Sequence, residues 1–349
     1  MNPYNKKVFI IAEAGVNHNG SIKLAMKLVD VAKKSGADAV KFQSFKAAKL
    51  ATKTAEKAEY QNKAESNCES QYEMLKRLEL TLDDCMILKD YCQKKEIEFI
   101  SSPFDAESVQ DLCRIGVETI KIPSGEITNL EYLRAVAKSG KKIILSTGMS
   151  TIDEVEKAFN IFLEFKVPKE KITILHANTE YPTPFEDVNI TAMIGLGKRF
   201  GVSFGYSDHT PGIEVPIAAT ALGASVIEKH ITLDKKMDGP DHKASLEPAE
   251  LESMVSAIRN TCRIFSDGIK KPSRSESKNI VIARKSIVAA TDITKGSILN
   301  REMIEFKRPG TGISPMEYED VLGSTVSRFI KADDVITLKD LELQSSKGR

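Results

Sequence analysis

Cysteine is scarce in this sequence of 349 residues, and the five that occur form no C-x-x-C pair: Cys68, Cys85, Cys92, Cys113 and Cys262. An odd number without paired spacing indicates neither a disulfide framework nor a thiolate zinc site. Long apolar runs are also missing, because the most apolar stretch, around residues 215–227, falls short of a bilayer span. We therefore expect a cytoplasmic protein that is neither secreted nor embedded in a membrane.

The chain also has almost no net charge. Its 50 basic and 49 acidic residues nearly cancel, which gives no electrostatic reason to expect nucleic acid or an anionic membrane as a partner. No G-x-G-x-x-G follows a predicted strand, so a dinucleotide site has no support. A small-molecule site is the better expectation.

Short β-branched segments alternate with segments of helical period from residue 8 to about residue 265. The predicted strands are residues 8–15, 39–45, 98–104, 119–125, 142–148, 172–182, 202–209 and 225–234. Most are apolar on both faces, as buried parallel strands are. Eight βα units predict an α/β fold, the (β/α)8 TIM barrel, in preference to a doubly wound open sheet.

We expect three parts along the chain: a barrel domain (1–265), a linker (266–283) and a small C-terminal domain (284–349). The linker prediction rests on a polar, basic segment without apolar period. The last part has short strands with Gly and Pro punctuation and is small for an independent core, which favours docking against a partner surface.

Three segments repeat one pattern, with a charged residue five positions after a helix-ending glycine. They are GADAVKFQ, GVETIKIP and GASVIEKH, and they place Lys41, Lys121 and Glu228 at one structural level. Because a charge in a buried strand is costly unless paired or used, the pattern predicts a polar centre at one end of the barrel.

Polar residues crowd the carboxyl ends of the predicted strands, where (β/α)8 enzymes hold their active sites. Lysines and hydroxyls without a Walker loop suit a bound phosphate or carboxylate. Each lysine alone could instead be a buried salt-bridge partner. The residues are Glu13, Lys41, Gln43, Ser102, Lys121, Ser124, Glu126, Ser146, Thr147, Gly148, Thr179, Tyr181 and Ser207.

His209 and His230 end the seventh and eighth strands. Because side chains alternate along a strand, both are expected to point to the inner face of the barrel, whereas Asp208 points to the other face. Either histidine alone could be structural, but together they predict an open divalent-metal site completed by water and substrate. Such a site suits manganese or magnesium better than zinc. His176 lies on the strand face opposite to that of Thr179 and Tyr181 and is predicted to be structural. Asp241 could orient sugar hydroxyls or a metal-bound water.

Nine motifs, in order along nearly the whole chain, resemble the sialic acid synthase family. They are AEAGVNHNG, VKFQSF, KIPSGE, LSTGM, EYPTPFEDVN, YSDHT, EKHITLD, GPDHKAS and KRPGTGISP. The C-terminal part resembles the family's antifreeze-like (SAF, β-clip) domain. Agreement of nine motifs in order is far more specific than any one of them.

The resemblance implies condensation of phosphoenolpyruvate with N-acetylmannosamine and water to give N-acetylneuraminate and phosphate. The alternative within the family is an N,N'-diacetyllegionaminate synthase, which uses 2,4-diacetamido-2,4,6-trideoxymannose. The implied cofactor is a divalent metal, manganese first, with magnesium or cobalt as alternatives.

The resemblance also implies residue roles. His209 and His230 would hold the metal, Glu126 would transfer a proton, and Arg308 would reach the sugar in the partner subunit of a domain-swapped homodimer. Phosphoenolpyruvate would contact Lys41, Lys121, Ser124, Ser146, Thr147, Gly148 and Ser207, and Ser102 is a further predicted substrate contact with a hydroxyl where many relatives have threonine. The sugar and water would contact Glu13, Gln43, Thr179, Tyr181 and Asp241.

Two other functions compete with this one. Lys121 could be the nucleophile of a Schiff-base aldolase on the same barrel. The C-terminal part could be a carbohydrate-binding or ice-binding unit without catalysis, although the many polar strand ends argue against this.

Overall fold

A computed structural model describes residues 7–58, 61 and 70–342. The chain divides into two compact units, Met1–Asp267 and Gly268–Arg349. Each unit is described separately below.

The first unit is a closed barrel of eight parallel strands, as the sequence predicts. The strands are β1 (Phe9–Gly15), β2 (Ala39–Ser44), β3 (Glu98–Pro103), β4 (Thr119–Ile122), β5 (Lys142–Ser146), β6 (Ile172–Ala177), β7 (Ser203–Asp208) and β8 (Val226–His230). They follow chain order around the barrel, and β8 closes it by pairing with β1. Apolar side chains including Ile11, Ile100 and Leu175 fill the interior below the polar end.

Helices surround the barrel and cover the outer faces of its strands. They are α1 (Ile22–Lys34), α2 (Ala47–Leu50), α3 (Gln71–Leu78), α4 (Leu82–Lys94), α5 (Ala106–Arg114), α6 (Leu130–Lys138), α7 (Ile152–Glu164), α8 (Ala192–Phe200), α9 (Glu214–Ala221) and α10 (Pro248–Arg263). The α7 helix begins with a capping box formed by Thr151 and Glu154. Among the residues described here, no helix combines the length and apolar character that a membrane span requires.

Strand register brings the predicted polar residues to one level of the barrel. Glu13 pairs with Lys41 on one side and with His230 on the other. Ser207 pairs with Glu228 between β7 and β8. Since alternate residues of a strand share a face, these side chains enter the barrel together at its carboxyl end.

The second unit contains α11 (Arg274–Ala283), two short antiparallel ladders and one further short helix. The ladders pair β9 (Ser286–Ala289) with β10 (Ile304–Lys307) and β11 (Thr325–Val326) with β12 (Leu341–Glu342), and α12 is Tyr318–Val321. Its core is apolar and includes Ile287, Ile293 and Ile336.

The α11 helix lies within residues 266–283, for which the sequence predicts a linker without regular apolar period. Its first turn is closed by a capping box of Ser273 and Glu276, but none of its residues is buried. A helix without a buried face has no apolar period, which is why the pattern of the sequence did not reveal it.

Candidate active site

A cavity of about 430 Å³ opens at the carboxyl ends of the barrel strands. Most of the predicted site residues line it, so strand parity identified the correct face of the barrel. They are Glu13, Lys41, Gln43, Ser102, Lys121, Ser124, Ser146, Thr179, Tyr181, Ser207, His209, His230 and Asp241.

Two lysines and two glutamates form a buried charge network in the floor of this cavity. The Lys41 ammonium lies 2.6 Å from Glu13 Oε2 and 3.8 Å from Glu228 Oε1, and the Lys121 ammonium lies 3.0 Å from Glu228 Oε1. Each of these side chains is at most 4 % exposed. The sequence places Glu228 at the same level of the barrel as the two lysines, but Glu228 is not among the residues predicted to bind substrate or metal.

Burial and pairing shift the pKa values of the two carboxyl groups in opposite directions. Burial raises the pKa of Glu13 to about 7, against the opposing effect of Lys41. Burial also acts to raise the pKa of Glu228, but the charges of Lys121 and Lys41 outweigh it and hold this pKa at about 2. Glu228 is therefore the fixed anion of the network, and Glu13 can exchange a proton near neutral pH.

The serine hydroxyls are arranged around the two lysines. Ser102 Oγ accepts a hydrogen bond from Lys41 at 3.0 Å, and Ser207 Oγ donates one to Glu228 at 2.9 Å. Ser146 Oγ is buried and has no hydrogen-bond partner in the part of the chain described. An unpaired buried hydroxyl beside two ammonium groups is suited to donate to a bound oxyanion.

The two histidines face each other with their ring centroids 5.4 Å apart. Burial lowers the pKa of His209 to about 4 and the pKa of His230 well below its ordinary value, so both rings are neutral at pH 7. His209 Nδ1 lies 2.5 Å from the carbonyl oxygen of Asn178. A proton on Nδ1 then leaves the lone pair of Nε2 available to a metal ion.

His230 Nδ1 is buried without a hydrogen-bond partner among the residues described, and Asp241 Oδ2 lies 3.9 Å from it. Neutral imidazoles with available nitrogen lone pairs fit a divalent metal. Within the described ranges, no group of three or more His, Cys, Asp or Glu side chains could hold such an ion. Two histidines would therefore need water and substrate oxygens to complete the shell.

Four predicted site residues do not line the cavity. Glu126 instead accepts a hydrogen bond at 2.7 Å from Asn129, which caps α6, and Thr147 Oγ1 donates to the carbonyl of Leu175. Gly148 donates its N–H to Ser124 Oγ at 2.9 Å, and Arg308 belongs to the second unit. Proton transfer by Glu126 stays a prediction from the family resemblance.

The loop that follows β1 is tied to the loop that carries Asp241. Asn17 Nδ2 donates to the carbonyl of Ile231 and to Ser245 Oγ, each at 2.8 Å, and Ser245 Oγ donates to the carbonyl of Asp241 at 2.6 Å. Asn17 is not among the residues that the sequence predicts for the site. Its buried amide holds the backbone that presents the Asp241 carboxylate.

One wall of the cavity is largely apolar and comes mainly from the segment between β2 and α4. Its apolar side chains are Val16, Leu50, Met74, Leu75, Leu78 and Phe104, and the amide side chains of Gln61 and Gln71 line the cavity from the same segment. The cavity therefore combines a floor of two ammonium and two carboxyl groups, a pair of neutral histidines and a largely apolar wall, which suits a ligand with one anionic and one apolar part.

A closed (β/α)8 barrel with buried lysines beside paired neutral histidines defines an enzyme of the barrel class that acts on an anionic substrate. Comparison with known proteins identifies the family. Residues 28–270 match the NeuB family, and residues 284–342 match the SAF domain. The chain belongs to the NeuB family of sugar acid synthases, and both the predicted family resemblance and the predicted architecture are confirmed.

Several relatives share nearly the whole chain. An N,N'-diacetyllegionaminic acid synthase of Campylobacter jejuni is 53 % identical and covers 95 % of this chain and 99 % of its own length. The protein of the same name from Legionella pneumophila is 44 % identical, with 96 % and 94 % covered. The crystal structure of an N-acetylneuraminic acid synthetase from Leptospira borgpetersenii in complex with citrate is 36 % identical, with a TM-score of 0.69 over 79 % of this chain and 91 % of that one.

Proposed function

We propose that this enzyme condenses phosphoenolpyruvate with 2,4-diacetamido-2,4,6-trideoxymannose and water to give N,N'-diacetyllegionaminate and phosphate. The observation that carries the choice of sugar is the identity of 53 % and 44 % to two proteins named for that product, against 36 % to the sialic acid synthetase. N-acetylmannosamine, the first expectation from the sequence, is not confirmed by these comparisons.

The two ammonium groups in the cavity floor support phosphoenolpyruvate as the anionic substrate. Its phosphate and carboxylate need several positive charges and hydrogen-bond donors in a site that excludes water. Lys41 and Lys121 supply the charges, and Ser146 supplies a hydroxyl with no competing partner in the described structure. In the proposed reaction, C3 of phosphoenolpyruvate bonds to C1 of the sugar, water adds to C2 and phosphate leaves.

The apolar wall supports a deoxygenated sugar. The trideoxy sugar has a methyl group at C6 and two acetamido methyl groups, whereas N-acetylmannosamine has hydroxyls at C4 and C6. Burying an added methyl group against Met74 and Leu75 is favourable, by about 0.8 kcal/mol for a CH2-sized group. A hydroxyl against these two side chains would lose water and gain no hydrogen-bond donor from them.

A divalent metal held by His209 and His230 would supply a Lewis acid for the sugar aldehyde. Glu13 is the carboxyl group whose pKa of about 7 suits proton exchange at neutral pH, and its Oε2 lies 2.6 Å from Lys41. We therefore propose that Glu13, rather than Glu126, takes a proton from the attacking water. Asp241, held by the loop after β1, would orient the sugar.

We also propose that Arg308 of a second copy completes the sugar site in a domain-swapped homodimer, on the strength of the family resemblance. Arg308 is exposed and donates from Nε to the carbonyl of Ala283 at 2.9 Å. Deleting residues 285–349 should then abolish sugar binding. A fully active monomeric truncation would overturn this part of the proposal.

The test of the proposed function is phosphate release from phosphoenolpyruvate with each of the two sugars, with and without manganese. We expect kcat/KM for the trideoxy sugar to exceed that for N-acetylmannosamine by at least about tenfold, because a methyl-sized difference in an apolar pocket discriminates by about 10- to 200-fold. Equal or reversed preference would contradict the proposed sugar, and no phosphate release with either would contradict the reaction.

A substitution in the apolar wall tests whether its side chains determine the preference for the trideoxy sugar. Leu75→Asn should raise KM for the trideoxy sugar and leave KM for phosphoenolpyruvate unchanged. The matched control is Leu163→Asn on the exposed side of α7, which should change neither constant.

A further inference from the structure

An ion pair lies directly behind the two histidines, on the outer face of the barrel. The Lys229 ammonium is 2.5 Å from Asp208 Oδ2 and 2.5 Å from the carbonyl of Thr210, and neither charged side chain has any exposed surface. Asp208 immediately precedes His209 and Lys229 immediately precedes His230, and the two charged residues are register partners between β7 and β8.

The geometry makes this pair a lateral connection between the ends of β7 and β8. The strand ladder ends at Asp208 and Lys229, so no further backbone pairing between these strands fixes the two histidines that follow. Thr210 closes the turn after His209, because its N–H and Oγ1 both donate to Asp208 Oδ1, at 3.1 and 2.9 Å. The backbone on both sides of His209 is thus attached to the same carboxylate.

The histidine backbones have other contacts, which include the pairing of His230 with Glu13 of β1 and two loop hydrogen bonds. The N–H of Thr183 donates to the carbonyl of His209 at 2.9 Å, and the N–H of Leu246 donates to the carbonyl of His230 at 2.8 Å. These loop contacts position each histidine separately. The ion pair differs from them because it joins one strand end to the other.

We propose that Asp208 and Lys229 are positioning residues that set the separation of His209 and His230. Replacing a buried ion pair by apolar side chains is often neutral for stability, so stability alone does not account for a pair at this place. Groups outside a metal site that orient its ligands change metal affinity by about 10- to 100-fold when they are removed. The affinity consequence rests on the metal role proposed for the two histidines.

The test compares two isosteric variants in the full-length protein. Asp208→Asn keeps the shape and an acceptor for Thr210 but removes the charge. Asp38→Asn is the control, because Asp38 forms an ion pair with Arg259 at 2.6 Å that is less buried, and it lies just before β2, at the opposite end of the barrel. The double variant Asp208→Leu/Lys229→Met provides a second test that leaves no unpaired charge.

Binding of Mn²⁺ to the metal-free protein is measured by electron paramagnetic resonance titration. Asp208→Asn and the double variant should weaken binding at least about tenfold, while Asp38→Asn should not. Unchanged affinity in both variants at position 208 would overturn the proposal, as would an equal loss in the control.

Amide hydrogen exchange tests the positioning role of the ion pair in the absence of metal. The amides of Thr183 and Leu246 report on the two histidine backbones, and they should exchange faster in the variants at position 208 than in the control. Unchanged exchange would overturn the proposal. If His209→Ala instead binds Mn²⁺ as tightly as the unaltered protein, the metal role fails while the exchange result still decides the positioning role.

Discussion

The ammonium of Lys121 and the carboxylate of Glu228 lie 3.0 Å apart in the floor of the cavity, where each side chain is only 4 % exposed. Glu228 also approaches Lys41 and accepts a hydrogen bond from Ser207. A buried carboxylate between two ammonium groups favours the charged form of each of them before an anion arrives. The substrate therefore meets a site whose charges are already paired and positioned.

Glu228→Gln removes this anion while keeping the size of the side chain. We expect the free energy of unfolding to fall by about 3 kcal/mol, because two buried ammonium groups are left with less compensation. Phosphoenolpyruvate should raise Tm more in the variant than in the unaltered protein, since its charges replace the missing one. Thermal unfolding with and without phosphoenolpyruvate measures both effects.

Ser207→Ala is the matched control for that experiment. It removes the hydrogen bond to Glu228 and leaves the charge, so the cost should be about 1 kcal/mol without an enhanced response to phosphoenolpyruvate. An equal response in all three proteins would show that Glu228 does not balance the lysines.

His209→Ala and His230→Ala should each weaken Mn²⁺ binding by more than tenfold, because each removes one of two neutral nitrogen ligands of the proposed site. The control is His176→Asn. His176 Nε2 lies 2.9 Å from the carbonyl of Val188, away from the cavity lining, so its loss should lower Tm but not Mn²⁺ affinity. Isothermal titration with Mn²⁺ gives the affinities, and a loss confined to His176→Asn would contradict the assignment.

Gly148→Ala should impair binding of phosphoenolpyruvate by displacing the residues next to it. An added Cβ would lie 2.6 Å from Thr179 Cγ2 and 2.8 Å from Ser124 Oγ, closer than packed atoms allow. Such overpacking costs about 1–3 kcal/mol, and here it moves two residues of the cavity lining. KM for phosphoenolpyruvate and the free energy of unfolding are the measurements.

Gly195→Ala in α8 serves as the control, because no atom lies within 4 Å of its added Cβ and Gly195 does not line the cavity. Combining Gly148→Ala with Thr179→Ser removes the closest clash and should restore part of the lost affinity. If Gly195→Ala is as harmful as Gly148→Ala, the steric explanation is wrong.

The barrel could be predicted from the sequence because buried parallel strands and amphipathic helices alternate eight times, and each pattern follows from burial. The inner face of the cavity followed from strand parity as far as the strands extend. Lys41, Ser207 and His230 lie within strands, and all three line the cavity as predicted.

Alternation could not place residues at and beyond the strand ends. The β4 strand stops at Ile122 and residues Ser124–Glu126 form a single 3-10 turn, so the prediction for Glu126 rests on the family resemblance. Thr147 follows the last residue of β5 and turns its hydroxyl to the carbonyl of Leu175. Contacts between loops, such as that of Asn17 with Ser245, join residues far apart in sequence and leave no local pattern.

Acid should destabilise the protein partly through His18, which is fully buried. Burial lowers the pKa of its ring to about 4, while the unfolded chain takes up this proton near pH 6.5. The unfolded state therefore binds more protons between these values, and stability falls as the pH decreases from about 6.5 to 4. The expected loss is about 3 kcal/mol. Chemical unfolding of the unaltered protein and of His18→Gln across this range measures it, and parallel profiles would contradict the prediction.

Lys121 provides the test that separates the proposed reaction from a Schiff-base aldolase. Burial lowers the pKa of its ammonium, as an amine nucleophile requires, but Glu228 at 3.0 Å opposes this and favours the charged form. We expect no covalent adduct when borohydride is added with the aldehyde sugar, and mass spectrometry of the intact chain checks this. Lys121→Met is the control for reaction at other lysines. An adduct that forms on the unaltered chain and not on Lys121→Met would refute the role of Lys121 as a positive charge for phosphoenolpyruvate.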